Sequence, residues 1–265
     1  MLWDRYLVGR QTLSELSTTY RISRKRIQRY FATIPSCDPV LGGVWTPVVV
    51  VADATYWGRG YGVVVFRAPR LKCNLWWTEI ETETANSYRQ GRQFIEVNNI
   101  RLAAVVLDGK PGIAEVFQDI PVQICHFHQI AIVRRYLTKR SKLPAAQELL
   151  SIVATLPDTD EVTFRTALIS WHAKWEPLLA ERTVNPNTKR WHYTHKRLRS
   201  AYRSLQRHLT NLFTYQRYPE LGIPNTTNSL DGTYGHMKHL VEVHRGISRL
   251  SRYRIISQFL RKNSN

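Results

Sequence analysis

The spacing of apolar residues divides the chain into three kinds of sequence. In residues 2–31 apolar side chains recur at the spacing of amphipathic helices. From residue 48 they come in short continuous runs, which are typical of strands buried on both faces. From residue 144 to residue 218 the helical spacing returns. The pattern therefore predicts short helices, then a mixed α/β region, then a long helical stretch.

The first region predicts a helix-turn-helix over residues 1–33. Thr12 begins its second helix, with Glu15 three residues later as a capping box, and Ser23 begins the third. Basic residues open that third helix: Arg24, Lys25, Arg26 and Arg29. In this motif the start of the last helix meets the major groove of DNA. Residues 34–46 contain prolines and glycines without periodicity, and they are predicted to be a linker.

The middle region, residues 47–142, has the element order of a ribonuclease H-like mixed sheet. Three antiparallel strands are predicted first, and a helix, a strand, a short helix and a fifth strand follow. A helical crossover within a sheet is right-handed, so the fourth strand should lie parallel beside the first. The first strand runs through four valines to Asp53, and the fourth runs through residues 102–107 to Asp108.

These two aspartates are the first candidate site. A carboxylate is costly to bury unless a partner or a cation compensates its charge. For Asp53 alone, a cap at the junction of strand and turn is an equally good interpretation. Two acids delivered to the ends of neighbouring strands instead predict a divalent metal site formed by Asp53 and Asp108.

Cys125 and His128 follow the fifth predicted strand. A zinc site is a poor interpretation because no fourth ligand lies nearby in the sequence. Packing of the thiol and the imidazole at a strand-to-helix junction near the acids is the preferred one. The other two cysteines, Cys37 and Cys73, are scattered, so the odd total implies no disulfide framework.

Composition adds a strong positive charge to this picture. The 265 residues are 43% apolar and 22% charged, as in ordinary globular proteins, and the formal net charge is +18. Such an excess indicates a polyanionic partner, and nucleic acid comes before a membrane; a basic enzyme with acidic partners is the alternative. No apolar run reaches the length of a membrane helix, and no signal-peptide pattern opens the chain. A cytoplasmic protein is expected.

One side of a predicted helix continues the basic pattern. It carries Lys196, Arg199, Arg203 and Arg207. Rows of charge are usually solvated faces. Here no acids are interleaved with the cations, which favours a track for nucleic-acid phosphates.

With these features, the chain resembles the Mutator-like transposases of bacterial insertion sequences, and more narrowly their variant zinc-binding type. The resemblance covers residues 48 to about 250 in the right order, and the helix-turn-helix extends it. Its motifs are Val-Ala-Asp53-Ala, Leu-Asp108-Gly, Cys125-x-x-His128, Arg190-Trp191 and Asn225-Thr-Thr-Asn-Ser-Leu-Asp231-Gly.

The resemblance implies a ribonuclease H-like catalytic core interrupted by an all-helical insertion, residues 143–223. Residues 224–265 would complete the core and end in a basic tail. Asp231 would be the third metal-binding acid, although the family usually has glutamate there. The Cys-rich ribbon expected before the helix-turn-helix is missing. Arg190 and Trp191 would contact DNA, where an exposed Trp191 would stack on a flipped base; burial in the insertion core is the alternative.

The expected activity is DNA transposition, with metal-dependent cleavage and strand transfer at the ends of a mobile element. Two Mg²⁺ or Mn²⁺ ions about 4 Å apart would assist an in-line phosphoryl transfer. Asp53 would bridge both ions, and Asp108 and Asp231 would hold one each. Double-stranded DNA, both element ends and target, would be the partner of a homodimer or larger assembly. The alternatives are an inactive, domesticated DNA-binding regulator and a structure-selective nuclease, which would not join strands.

Overall fold

A mixed α/β sheet confirms the broad fold class predicted from the sequence. The structure is a computed structural model that describes residues 2–39, 47–138, 140–244, 246–262 and 264. Within those residues the sheet has five strands: β1 (Val48–Tyr56), β2 (Gly62–Ala68), β3 (Cys73–Ile80), β4 (Leu102–Leu107) and β5 (Val122–Ile124). Their order is β3-β2-β1-β4-β5, which is compatible with a ribonuclease H-like fold.

Helices make up most of the remaining described chain. The α-helices are α1 (Leu2–Leu7), α2 (Leu13–Tyr20), α3 (Arg24–Thr33), α4 (Ala85–Val97), α5 (His126–Leu137), α6 (Pro144–Ala154), α7 (Glu161–Ala180), α8 (Lys196–Leu212), α9 (Thr214–Arg217), α10 (Asn228–Val243) and α11 (Arg249–Lys262). Short 3₁₀ turns span Ala114–Phe117, Leu156–Asp158 and Pro219–Leu221. The chain clusters into two compact units: unit 1 is residues 1–102 with 228–265, and unit 2 is residues 103–227.

In unit 1 the three meander strands form as predicted. β1 pairs antiparallel with β2 and places Asp53 opposite Val65, and β2 pairs antiparallel with β3. The valines of β1 are buried, as their continuous apolar run predicts. The turn between β1 and β2 contains Gly58 and Gly60, both with positive φ, a conformation that glycine adopts without strain.

Residues 2–33 form three short helices in unit 1, at the positions predicted from the sequence, and their assignment as a helix-turn-helix stays a prediction. Thr12 Oγ1 accepts the Glu15 N–H at 3.2 Å, and the Glu15 carboxylate accepts the Thr12 N–H at 2.6 Å, so the capping box is confirmed. Ser23 Oγ caps α3 through the Arg26 N–H. Arg21, in the left-handed region, makes the tight turn between α2 and α3.

These first helices pack against the last helices of the chain. The Tyr6 ring stacks on His244 with centroids 3.6 Å apart, and His244 Nε2 lies 3.0 Å from the Tyr6 carbonyl oxygen. Lys262 Nζ pairs with Asp4 at 2.6 Å. The first three helices are therefore part of unit 1.

The basic C-terminal segment of the chain is helical. It forms helix α11, in which Ile255, Ile256 and Leu260 are buried. The Asn74 amide of β3 donates a 3.0 Å hydrogen bond to the Leu260 carbonyl. Apolar residues at helical spacing explain this helix, because they let a basic segment bury one face.

The predicted linker, residues 34–46, is described only in part. The Cys37 N–H donates to Ser257 Oγ at 3.0 Å, and the Gln258 amide donates to the Pro35 carbonyl at 3.0 Å. Residues 34–39 therefore contact α11 of the same unit. Residues 40–46 lie outside the described residues, and the linker stays a prediction for them.

Unit 2 combines the parallel pair β4 and β5 with helices α5 to α9. The prediction of an all-helical segment over residues 143–223 is corrected by a hairpin of β6 (Arg182–Val184) and β7 (Trp191–Tyr193). The turn between them starts at Asn185, whose side-chain oxygen accepts the N–H groups of Asn187 and Thr188. Such side-chain hydrogen bonds favour turns over helix, and Pro186 cannot donate to a helical ladder.

Across the part of the chain that the structure describes, no helix combines the length and the apolar character needed to span a membrane.

Candidate metal and nucleic-acid sites

Asp53 is held inside β1 rather than beyond its end. Its side chain is only 6% exposed, between two alanines of the strand. Its Oδ1 accepts the N–H of Ala54 at 2.7 Å, and its backbone carbonyl accepts the Tyr234 hydroxyl at 2.5 Å. Both the carboxylate and the backbone that carries it are thus fixed by neighbouring groups.

Glu83 is a second carboxylate of this site, and the sequence interpretation missed it. It directly precedes Thr84, the N-cap of α4, and oxygens of Glu83 and Asp53 lie within 4.8 Å of each other. The hydroxyl of buried Tyr88, one turn into α4, donates to the Glu83 carboxylate. From the sequence alone, an acid just before a helix is explained by the helix dipole, so no further role was needed.

Asp231 lies in the first turn of α10, as predicted, and is half-buried. Three residues later, Tyr234 is buried. Burial raises the pKa of Tyr234 well above its usual value, and the negative charges of Asp53, Glu83 and Asp231 raise that pKa further. Three carboxylates of unit 1 therefore surround one phenol, which remains protonated and acts as a hydrogen-bond donor.

The donor set of this cluster fits a hard divalent cation. Several carboxylates close together repel one another, and a cation relieves that repulsion. Oxygen ligands of this kind are those that Mg²⁺, Mn²⁺ and Ca²⁺ prefer, whereas zinc favours nitrogen and sulfur. Asp53 and Glu83 therefore offer oxygen ligands suited to such a cation, and the identity of the ion stays a prediction.

Asp108 belongs to unit 2, where it directly follows β4 and is half-buried. Its Oδ1 accepts the Lys110 N–H at 2.9 Å, which fixes the carboxylate on the turn. Gly109 has a φ of +87°, and a Cβ at that position would lie 3.1 Å from the His208 ring. A glycine is therefore required here both by its backbone angle and by the close imidazole.

His208 is a neighbour of this turn that the sequence interpretation did not single out. Its Nδ1 lies 2.7 Å from Gln129 Oε1, and the Gln129 amide nitrogen donates to Ser204 Oγ at 3.1 Å. Burial and the Arg207 charge lower the pKa of His208, and the Asp108 charge partly offsets that change. The imidazole is thus held by a buried amide beside the predicted acid.

The Cys125 and His128 pair matches the packing interpretation better than a zinc site. Cys125 is buried, and its Sγ lies 3.4 Å from Thr227 Oγ1, which in turn is 3.4 Å from His128 Nδ1. Burial raises the pKa of the Cys125 thiol, but hydrogen bonds from His128 and Thr227 outweigh it and lower that pKa overall. The three side chains form one small polar network inside unit 2.

The predicted recognition helix, α3, presents its basic residues to solvent. Arg24, Lys25, Arg26 and Arg29 are all exposed. The opposite side of α3 buries Ile27 and Phe31. This is the arrangement that a DNA-contacting helix requires, and DNA binding itself stays a prediction.

The basic row on α8 is less uniform than its sequence suggests. Lys196, Arg203 and Arg207 are exposed, whereas Arg199 is half-buried. The Arg199 guanidinium donates to the Leu179 carbonyl at 2.6 Å and lies 3.6 Å from the Tyr193 ring centroid. It satisfies a carbonyl in the last turn of α7, so it has a structural role that its neighbours lack.

Trp191 and Arg190 lie on the hairpin of unit 2. The Trp191 side chain is 53% exposed, so the alternative of a tryptophan buried in the insertion core is wrong. The Arg182 guanidinium covers the Trp191 ring, 4.1 Å from its centroid, and Arg190 is exposed. An exposed indole held by a cation is a suitable surface for stacking on a base.

Comparisons with known proteins assign no family. No protein-family model matches the chain, and no curated protein matches it. Among solved structures, it is similar to a chain of the simian T-cell lymphotropic virus intasome in complex with PP2A regulatory subunit B56 gamma. That similarity has a TM-score of 0.25 at 10% sequence identity and covers 77% of this chain and 68% of that chain. At this TM-score the likeness adds no support to any function.

Proposed function

We propose that this chain is a DNA transposase that cleaves and joins strands at the ends of a mobile element with divalent metal ions. The observation that carries the proposal is the close pair of carboxylates in unit 1: oxygens of Asp53 and Glu83 lie within 4.8 Å of each other, as ligands of one cation must. The motif resemblance supplies the substrate class. The net charge of +18 is in keeping with DNA as the substrate.

Four carboxylates have a place in this proposal. Asp53 and Glu83 would hold one ion, and Asp108 and Asp231, from the first turn of α10, would complete the ligand set that the sequence predicts for two ions. Asp231 is one methylene shorter than the glutamate usual in the family, and Mg²⁺ commonly keeps several waters that can fill such a gap. When bound, these ions polarise a phosphoryl oxygen, lower the pKa of a water or 3′-hydroxyl and stabilise the leaving oxygen.

The chain itself contributes position and charge. Tyr88 holds the Glu83 carboxylate and Tyr234 holds the Asp53 backbone, so two phenols keep these acids at fixed places. A rigid ligand set costs less to organise during the reaction than one carried on mobile side chains.

Double-stranded DNA, as element end and as target, is the proposed partner. In this proposal α3 reads the element ends, and the exposed cations of α8 follow the phosphate backbone. Arg190 contacts the DNA, and Trp191 stacks on a displaced base. Strand transfer joins two ends, so the active complex contains at least two copies of the chain.

Substitution of the acids tests the catalytic part of this proposal. Asp53→Asn and Asp108→Asn should each slow Mg²⁺-dependent cleavage of DNA carrying the element ends by about 100-fold or more, because metal assistance is worth several kcal/mol. Asp158→Asn, at an exposed acid far along the sequence from either strand, is the matched control and should cut normally. Cleavage at the wild-type rate by Asp53→Asn or by Asp108→Asn would contradict the metal assignment.

The products of the same reaction separate the three candidate activities. A transposase yields joined molecules when end-containing DNA and target DNA are incubated together with Mg²⁺. A structure-selective nuclease yields cut but unjoined strands. A protein that binds the ends and leaves all strands intact is the DNA-binding regulator.

A further inference from the structure

We propose that a cavity of unit 2 beside Asp108 binds a phosphodiester of a nucleic-acid strand through Lys110 and Arg135. The cavity has a volume of about 430 Å³, within the range of about 300–1,000 Å³ usual for small-ligand sites. This inference rests on the proposed function, because it names where a strand lies next to one of the metal-binding acids.

Two elements of unit 2 form the walls of this cavity. One wall is the loop after β4, which contributes Asp108, Lys110 and Pro111. The other is a face of α5, which contributes His128, Ile132 and Arg135. These three positions recur at helical spacing, so they lie one above another along the same side of α5.

The charges in the cavity suit a phosphate whose binding depends on a cation. Lys110 and Arg135 are both exposed and both line this cavity, so two positive charges lie at its walls. Arginine and lysine are the residues that contact nucleic-acid phosphates most often, through charge-assisted hydrogen bonds. Asp108 repels an anion, and a divalent cation on Asp108 would turn that repulsion into attraction.

The turn that carries Lys110 is held in place before any ligand arrives. The Asp108 carboxylate accepts the Lys110 N–H, and the positive φ of Gly109 sets the direction of the loop. A phosphate that binds here therefore orders fewer protein groups than one that binds a mobile loop. The entropic cost of binding is lower as a result. A nucleic-acid strand bound in this cavity would place one phosphate near Asp108, and its sugar-phosphate backbone would continue along α5.

Methyl groups inside the cavity allow occupancy to be measured directly. The full chain, with ¹³C-labelled isoleucine and alanine methyls, is titrated with a thymidine tetranucleotide in Mg²⁺, and the Ile132 signal is identified by its loss in Ile132→Val. We expect the Ile132 signal to shift with a midpoint that rises several-fold in Lys110→Gln and in Arg135→Gln. Arg134→Gln, the exposed neighbour on α5 that does not line the cavity, is the matched control and should titrate as wild type.

Three outcomes would overturn the inference. The first is an Ile132 signal that does not move at saturating tetranucleotide. The second is a titration midpoint that stays at the wild-type value in both Lys110→Gln and Arg135→Gln. The third is a shift produced equally well by inorganic phosphate at the same concentration, which would make the cavity a site for free phosphate.

The titration measures binding and requires no catalytic turnover. Its result is therefore independent of whether the chain cleaves DNA. A chain that binds the tetranucleotide in this cavity but cuts no DNA would support the inference and contradict the transposase. Repeating the titration in EDTA should raise the wild-type midpoint, because Asp108 then faces the phosphate without a cation. An unchanged midpoint in EDTA would contradict the coupling of phosphate and metal.

Discussion

The acidic and the basic residues of this chain are held in opposite ways. In unit 1, Asp53 is almost fully buried in a strand, and Glu83 is bound by the hydroxyl of Tyr88. On α3, by contrast, the basic side chains extend into solvent from a helix that buries only its apolar face. The acids are therefore placed by the folding of the unit, whereas the cations remain free to adapt to a partner.

This difference predicts different consequences of substitution. Removing one fixed carboxylate leaves the others unable to hold an ion, so activity should be lost almost completely. Removing one exposed cation subtracts one phosphate contact, so affinity should fall in a graded way. Arg199 is the exception among the cations, because its guanidinium is bound to a helix terminus and a tyrosine ring.

The largest effect is expected for Glu83→Gln, which tests whether the acid missed by the sequence interpretation is a ligand. The substitution keeps size and hydrogen bonding but removes the charge, and it should slow Mg²⁺-dependent DNA cleavage by about 100-fold. Glu81→Gln, two residues earlier and exposed, is the control and should be nearly silent. An active Glu83→Gln beside an inactive Asp231→Asn would show that Asp231 takes the place assigned to Glu83.

Removing the metal tests the role of the buried acids through the stability of the protein instead of its reaction rate. At a free Mg²⁺ concentration of 100 times its dissociation constant, the free energy of unfolding should rise by about 2.7 kcal/mol over the value in EDTA. Thermal unfolding followed by circular dichroism measures this rise. It should disappear in Asp53→Asn and persist in Asp158→Asn, and an equal rise in all three proteins would place the bound metal elsewhere.

Arg199 and Arg203 test whether the basic row on α8 contains two kinds of residue. Arg199→Gln should lower the free energy of unfolding by about 1.5–3 kcal/mol, because it removes a charged hydrogen bond to the Leu179 carbonyl. Arg203→Gln should stay within about 0.5 kcal/mol of wild type, as exposed positions usually do. Urea unfolding measures both, and equal effects would contradict the structural role of Arg199.

The smallest effects are expected on α3. Arg24→Gln, Lys25→Gln and Arg29→Gln should each reduce the slope of log affinity against log salt by about 0.9 for DNA carrying the element ends. Fluorescence anisotropy at several salt concentrations gives that slope. Arg89→Gln, an exposed cation on α4, should leave it unchanged, and a slope insensitive to all the α3 variants would remove the recognition role of this helix.

The sequence was informative where one local pattern decides the structure. Four valines dictate a buried strand, and Thr12 with Glu15 dictates the start of a helix, so both were predictable from neighbouring residues alone. That Asp53 lies on this strand was also predictable, although the strand continues beyond it to Tyr56. None of these features depends on which distant segments fold against them.

Features decided by distant contacts were not predictable in the same way. Folding of unit 1 brings Glu83 within 4.8 Å of Asp53, which lies thirty residues earlier, and nothing in its own neighbourhood distinguishes it from Glu81. Arg199 has the same spacing and charge as Arg203, and only the position of Leu179 separates them. The β6–β7 hairpin depends on a short turn within a segment whose wider pattern is helical, so the turn at Asn185 overrides the local periodicity.

The contact of Tyr6 with His244 has a consequence for how the protein is made. Unit 1 draws its helices from both ends of the chain, and all of unit 2 is synthesised between them. The first helices of unit 1 therefore gain these packing partners only after α10 and α11 have been synthesised, whereas unit 2 has all its residues earlier. A nascent chain that has already completed unit 2 would still lack these contacts, so the first helices would gain their packing partners later than the core of unit 2 does.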